Sequence, residues 1–235
     1  MLKHVITNGF DVLLWEVRGA MWHSIKADLD RYRVTDGRSY LTMLILCPGS
    51  LACISYRIGN AIWSYPSRFP GLTLPLKVLW ILGNRLVEIF TGISIAPTAK
   101  IDPGLYIGHF GEIFVGEGVR MGSNCNLSQG VTIGMAVRGR RKGSPCLGDR
   151  VYIAPGAKLF GAIEIGNDVA IGANAVVTQS IPDRAVCVGI PASVISSEGS
   201  FEYILYRDME TDTPRLASLA LRHAEAAPEV VTAST

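Results

Sequence analysis

The sequence runs to 235 residues with a formal net charge of +2, 49% hydrophobic and only 18% charged residues. That length supports a substantial core, in one elongated domain or two modest ones. The near balance of charge gives no global field, so nucleic acid is not an expected partner.

Met1 to Glu16 lacks the concentrated apolar segment and small-residue cleavage site of a secretory leader. The longest apolar stretch, Leu41 to Ile54, is broken by Pro48 and Gly49. It falls short of the roughly 20 residues of a membrane span. The cysteines Cys47, Cys53, Cys125, Cys146 and Cys187 have neither paired nor metal-ligand spacing. A reducing, cytoplasmic setting follows, and no metal site is expected.

Residues 1–92 read as an N-terminal helical region. Ser24 is placed to cap a first helix carrying Ile25, Leu29 and Tyr32, with Asp28 and Asp30 early in it. A second helix is predicted over Leu51 to Trp63. A third is predicted over Leu74 to Phe90, where Leu79, Leu82, Leu86, Ile89 and Phe90 recur at helical spacing. Pro66, Pro70 and Pro75 predict a loop between those two. Trp63 and Trp80 are read as core or subunit-contact residues.

Residues 93–195 carry a different period. Ile95, Ile101 and Ile107 begin successive hexapeptides. Two extra residues reset the phase at Val115, and Met121, Leu127 and Ile133 continue it. After an interruption the register resumes at Leu147, Ile153, Leu159, Ile165, Ile171 and Val177. Four residues after each starter stands another small or branched inward residue, Ala99, Leu105, Val119 and Cys125 among them. Glycine follows many starters, as at corners that need close backbone approach. Three short strands and three corners then close one coil, stacked on the next as a solenoid. A sandwich of alternating strands would not keep an aliphatic at every sixth position for so long.

Residues 196–235 read as a C-terminal extension. Phe201 to Asp208 and Leu216 to Ala227 are predicted to be helical, and Pro228 to Thr235 to fray. The part beginning near Ile195 is expected to cap the open last coil.

These coils resemble the hexapeptide-repeat acyltransferases, and more narrowly the serine O-acetyltransferase family. The resemblance covers roughly Tyr56 to Ile195. It includes Tyr56-Arg57-Ile58-Gly59-Asn60 with Trp63, Thr91-Gly92-Ile93, the coils, and the closing run Gly189-Ile190-Pro191-Ala192. The resemblance implies a mainly β fold, a left-handed parallel β-helix with an N-terminal helical region and a C-terminal extension. It implies transfer of acetyl from acetyl-CoA directly to a small-molecule hydroxyl, with a histidine as general base. That histidine falls on His109, within Ile107-Gly108-His109-Phe110-Gly111.

The chemistry suits the residue. An alcohol attacks poorly until its proton leaves, and an imidazole titrates near operating pH. His109 is the one histidine inside the solenoid; it follows a corner glycine and precedes the phase break. Where the family carries an acid that orients the histidine, this sequence has Ser94. Where it has an aspartate before the histidine, this sequence has Gly108, and a second family histidine falls on Ser144. Asp102 and Glu112 are the nearest acids in sequence to replace the orienter. The departures leave the acceptor as either L-serine or a sugar or polysaccharide precursor, with the lost charged groups pointing away from serine.

The interruption holds Arg138, Arg140, Arg141 and Lys142, cations suited to coenzyme A phosphates. The resemblance places pantetheine contacts at Gly134, Pro155 and Ala173, with Arg184 near the nucleotide end. It also implies a homotrimer, or a dimer of trimers, with the site shared between neighbouring solenoids. The apolar helical region, with Arg57, Arg68, Lys77 and Arg85 interspersed, suits burial against a subunit or a peripheral membrane contact. The rival reading is a non-catalytic scaffolding solenoid, prompted by Ser94, Gly108 and Ser144.

Overall fold

The structure is a computed structural model and describes residues 2–37, 39–64 and 70–226. Four helices come first: α1 (Leu2–Asp36), α2 (Tyr40–Leu46), α3 (Pro48–Ser64) and α4 (Pro70–Thr91). Strands numbered in chain order then form three sheets of a left-handed parallel β-helix. Sheet A stacks β1 (Ile93–Ile95), β4 (Ile113–Val115), β7 (Thr132–Gly134), β10 (Lys158–Phe160) and β13 (Val176–Val177). Sheet B stacks β2 (Lys100–Ile101), β5 (Arg120–Met121), β8 (Cys146–Leu147) and β11 (Glu164–Ile165). Sheet C stacks β3 (Tyr106–Ile107), β6 (Asn126–Leu127), β9 (Tyr152–Ile153), β12 (Ala170–Ile171) and β14 (Val186–Val188), and ends on the antiparallel β15 (Ser193–Ser196). Helix α5 (Thr213–Ala226) follows.

The hexad register explains the core. Ile95, Val115, Ile133, Leu159 and Val177 all point inward from sheet A, and Val119, Cys125 and Val131 fill the alternate inward positions without exposure. Burial pushes the Cys125 thiol up to about 12, which suits a packing residue rather than a nucleophile.

Helix α3 closes the first coil. Tyr56 reaches into the core, donating its hydroxyl proton to the Ala99 carbonyl at 2.9 Å and accepting from Ile101 N–H at 3.1 Å. Arg57 pairs with Asp28 of α1 at 2.8 and 2.9 Å, both nearly fully buried. Asp28 also accepts from Gly104 N–H and Leu105 N–H at 2.9 and 2.8 Å. Arg31 donates to the Gly104 carbonyl and to Asn126, and burial lowers its guanidinium to about 10.

Four sequence expectations need correction. Ser24 is not a cap: it lies inside α1, with its hydroxyl turned back on the Ala20 carbonyl at 3.0 Å. Pro70 opens α4 and Pro75 lies inside it, not in a loop. Pro70 takes the first helical position, where its missing N–H costs no intrahelical bond, whereas Pro75, five residues on, forgoes one i→i−4 bond that the rest of α4 offsets. Pro66 lies outside the described residues. Helix α2 went unread although Ser39 caps it, accepting from Thr42 N–H at 3.3 Å.

The fourth concerns the C-terminal extension. Phe201 to Asp208 forms turns rather than a helix, and β15 alone covers the edge of β14. The chain then runs back along the coils. Ser200 N–H bonds the Asp168 carbonyl, Asn126 donates to the Tyr203 carbonyl, and Arg31 donates to the Leu205 carbonyl. Tyr203 stacks on Tyr152 at 4.5 Å. The segment is thus a strap from the last coil to α1, held by contacts distant in sequence.

Candidate active site

The solenoid has three rows of corners, and they sort the expected site residues. The turn from sheet C to sheet A carries His109, Pro155 and Ala173. The turn from A to B carries Gly134 and the basic loop. The turn from B to C carries Asp102 and Arg184.

The C-to-A row is built by backbone stacking. Gly130 N–H donates to the Gly111 carbonyl at 3.1 Å, Gly156 N–H to Gln129 at 2.9 Å, and Asn174 N–H to Pro155 at 2.9 Å. Gly130 has φ +72, and a Cβ there would stand 3.2 Å from the Gly156 Cα. Small residues therefore let the corners stack closely and leave a shallow groove of about 440 Å³. Phe110, Glu112, Gln129, Pro155, Ala173 and Asn174 line it. Two of the expected donor residues thus share one groove with the immediate neighbours of His109.

The end of α4 sets the His109 corner. Gly92 N–H caps the helix on the Glu88 carbonyl at 2.8 Å, with Gly92 in the left-handed region at φ +64. The carbonyls of Thr91 and Gly92, left without intrahelical partners, then accept from Gly111 N–H at 2.9 Å and Ile113 N–H at 3.1 Å. His109 is exposed at this corner, and none of the described residues hydrogen-bonds its imidazole.

Asp102 lies one strand away, at another corner. It lines a different hollow with Asn60, Trp63 and Lys100, and its own carbonyl accepts from Arg57 at 2.9 Å. Glu112 borders the groove. An acid absent from the sequence reading is Glu88 of α4. Ser94 donates to its Oε1 at 2.8 Å, Asn84 to the same oxygen at 3.0 Å, and Arg85 to Oε2 at 2.6 Å. Its distance of one helical end from Ser94 was a signal only once α4 was known to stop at Thr91 and β1 to start at Ile93.

Gly134 is buried at the far end of β7, where a Cβ would stand 2.9 Å from the Phe160 ring. The loop beyond it is pinned at its base: Ala136 and Gly143 exchange backbone bonds at 2.9 and 3.0 Å, and the Arg141 carbonyl accepts from Ala162 N–H at 2.9 Å. The Arg141 guanidinium meets the Thr178 carbonyl, whereas Arg138, Arg140 and Lys142 are exposed. Ser144 donates to the Glu117 carbonyl at 2.8 Å. Within one chain the loop and the groove therefore occupy opposite ends of the sheet A strands, and Arg184 a third corner. Among the described residues, no three His, Cys, Asp or Glu side chains gather as metal ligands.

A serine acetyltransferase of Helicobacter pylori is 37% identical over 161 residues, spanning 68% of this chain and 89% of that protein. The chain belongs to the serine acetyltransferase family. A Staphylococcus xylosus serine acetyltransferase is 39% identical over 145 residues, 62% of this chain and 67% of that one. Among solved structures, a serine acetyltransferase in complex with CoA superposes with a TM-score of 0.64 at 29% identity, covering 78% of this chain and 74% of that chain. A Neisseria gonorrhoeae serine acetyltransferase in complex with serine gives 0.64 at 28% identity, covering 78% and 73%. No family model matches the chain. Membership of the serine acetyltransferase family makes the protein an acyltransferase enzyme built on hexapeptide repeats.

Proposed function

We propose that the protein transfers the acetyl group of acetyl-CoA to the hydroxyl of L-serine, with His109 as general base. The carrying observation is the position of His109, exposed at the corner that heads a groove floored by Gly130, Pro155 and Ala173. The thin pantetheine arm fits a floor of backbone and small side chains, which brings the thioester toward the imidazole. His109 takes the hydroxyl proton as the acceptor oxygen attacks the thioester carbonyl. The coenzyme A thiolate then leaves and is protonated by the imidazolium. The chain needs no nucleophile of its own for this direct transfer. The relatives named for serine, and one solved with CoA, support both substrates.

A second acceptor, a sugar hydroxyl, is favoured by what stands around the base. Ser94 is bonded to Glu88, Gly108 has no side chain, and Ser144 is turned on the Glu117 carbonyl. None of these three offers a carboxylate to an amino-acid ammonium group.

We further place the site between subunits of a trimer or dimer of trimers, in the cytoplasm. The separation of groove, loop and Arg184 onto three corners supports a shared site, because a neighbour's loop is then the one available to close the groove. Helix α4 exposes Leu79, Leu82, Ile89 and Phe90, each by 63% or more, which suits burial against a subunit or a membrane surface. No single helix among the described residues is long and apolar enough to cross a membrane.

The test is turnover of L-serine, L-homoserine and sugar alcohols by the protein and by His109→Ala, following released coenzyme A and product mass. Loss of a general base costs ~10²–10⁴-fold in rate. Serine far above the sugars supports the first reading, and a sugar above serine the second. Wild-type turnover by His109→Ala removes the base, and no turnover of any acceptor by the intact protein leaves a scaffold.

A further inference from the structure

We propose that Glu88 is the positioning acid of this site, acting on His109 through the hydroxyl of Ser94. This rests on the reading of His109 as the base.

Ser94 faces outward on β1, between the buried Ile93 and Ile95. Its register partner is Phe114 on β4, the strand that the His109 corner leads into. That corner is itself bonded to Thr91 and Gly92, immediately before β1. Ser94 and His109 therefore belong to one small neighbourhood where α4 ends. A serine hydroxyl has one proton and two lone pairs. The Ser94 proton is committed to Glu88 Oε1 at 2.8 Å, so its oxygen offers only lone pairs to a further partner. An imidazole N–H is such a partner; no described residue, Ser94 included, bonds the exposed His109 ring in this structure, so the contact forms only by a turn of that ring. When the other ring nitrogen takes the acceptor's proton, the imidazolium gains a hydrogen-bond acceptor backed by a carboxylate.

Glu88 is built to stay in place. Its side chain is 17% exposed and fixed by Asn84, whose own amide oxygen accepts from Ser55 at 2.6 Å. Arg85 also contacts the carboxylate, yet it is 71% exposed and screened by solvent. Asp102 sits at another corner, and Glu112 borders the groove on the substrate side. Other charged or titratable groups on elements around the corner include Tyr32 of α1, bonded to the Ile107 carbonyl, Tyr106, bonded to Asp36 of α1, and Lys158, bonded to the Gly130 carbonyl.

The experiment is an NMR titration of ring-labelled histidine in the full chain, with His109 assigned by its loss in His109→Ala. A nearby carboxylate favours the imidazolium, so its removal should lower the pH at which His109 titrates. Glu88→Gln is expected to move that midpoint to lower pH. Turnover should fall ~10-fold or more, since orienting partners of a base are worth at least that, with acetyl-CoA affinity unchanged. Ser94→Ala should give the same shift should Glu88→Gln prove unstable. Adding Ser94→Asp to Glu88→Gln puts a carboxylate beside the ring and should restore midpoint and rate, which a merely structural role would not do. An unshifted midpoint in both single variants, with His109→Ala inactive, overturns the role of Glu88 and leaves the base standing. Full activity of His109→Ala overturns both.

Discussion

The backbone N–H of Gly111 donates to the Thr91 carbonyl at 2.9 Å, hanging the His109 corner on the last turn of α4. The base is thus positioned by the junction of helix and solenoid rather than by its own coil alone. A Cβ on Gly92, which has φ +64, would stand 2.9 Å from the Gly111 Cα. Gly92→Ala is therefore expected to destabilise the fold by about 1–3 kcal/mol, the usual cost of such backbone strain. It should also depress turnover while sparing donor affinity, because the groove floor lies in later coils. Thermal melting, with calorimetry of acetyl-CoA binding, checks both.

The basic loop should act on the donor alone. Replacing Arg138, Arg140 and Lys142 by alanine is expected to weaken acetyl-CoA binding by ~10-fold or more, as loss of a charge-assisted hydrogen bond does. The melting temperature should not move. Arg141 is left intact because it ties the loop to Thr178 and Ala162. Calorimetry with unchanged affinity would take the loop out of the donor site.

Ala173 lies exposed in the groove, so a large side chain there costs the fold little. Ala173→Trp should fill the groove and raise KM for acetyl-CoA by about tenfold, equivalent to ~1.4 kcal/mol. Steady-state kinetics with a saturating acceptor would show it.

Asp28→Asn should be the costliest of these changes to stability. It leaves Arg57 buried without its charge partner and weakens the anchor of Gly104 and Leu105. Breaking one side of a buried ion pair costs about 3–5 kcal/mol. Urea denaturation should lose that much, and the loss should spread to the coils because α1 and α3 close the first of them.

Sedimentation should report a particle of three 25.4 kDa chains or a multiple of three. A single-chain mass at micromolar concentration would deny the shared site.

The sequence by itself determined the solenoid, its phase break, its interrupting loop and the corner that carries His109. Each depends on local rules: which residues alternate inward, and where glycine permits a corner. Ser24 inside α1 and Pro75 inside α4 show where such rules stop, since a hydroxyl can turn back on its own helix and a long helix can outlast the one bond an interior proline forgoes. Only the tertiary structure decided that Phe201 to Asp208 runs back along the coils to α1, and that Glu88 meets Ser94 across the end of α4. It alone sorted the expected site residues onto three rows of corners, Pro155 and Ala173 beside His109, Gly134 with the basic loop, and Asp102 with Arg184. Those outcomes come from hydrogen bonds and packing between segments that no short window of sequence holds together, so local pattern carries no record of them.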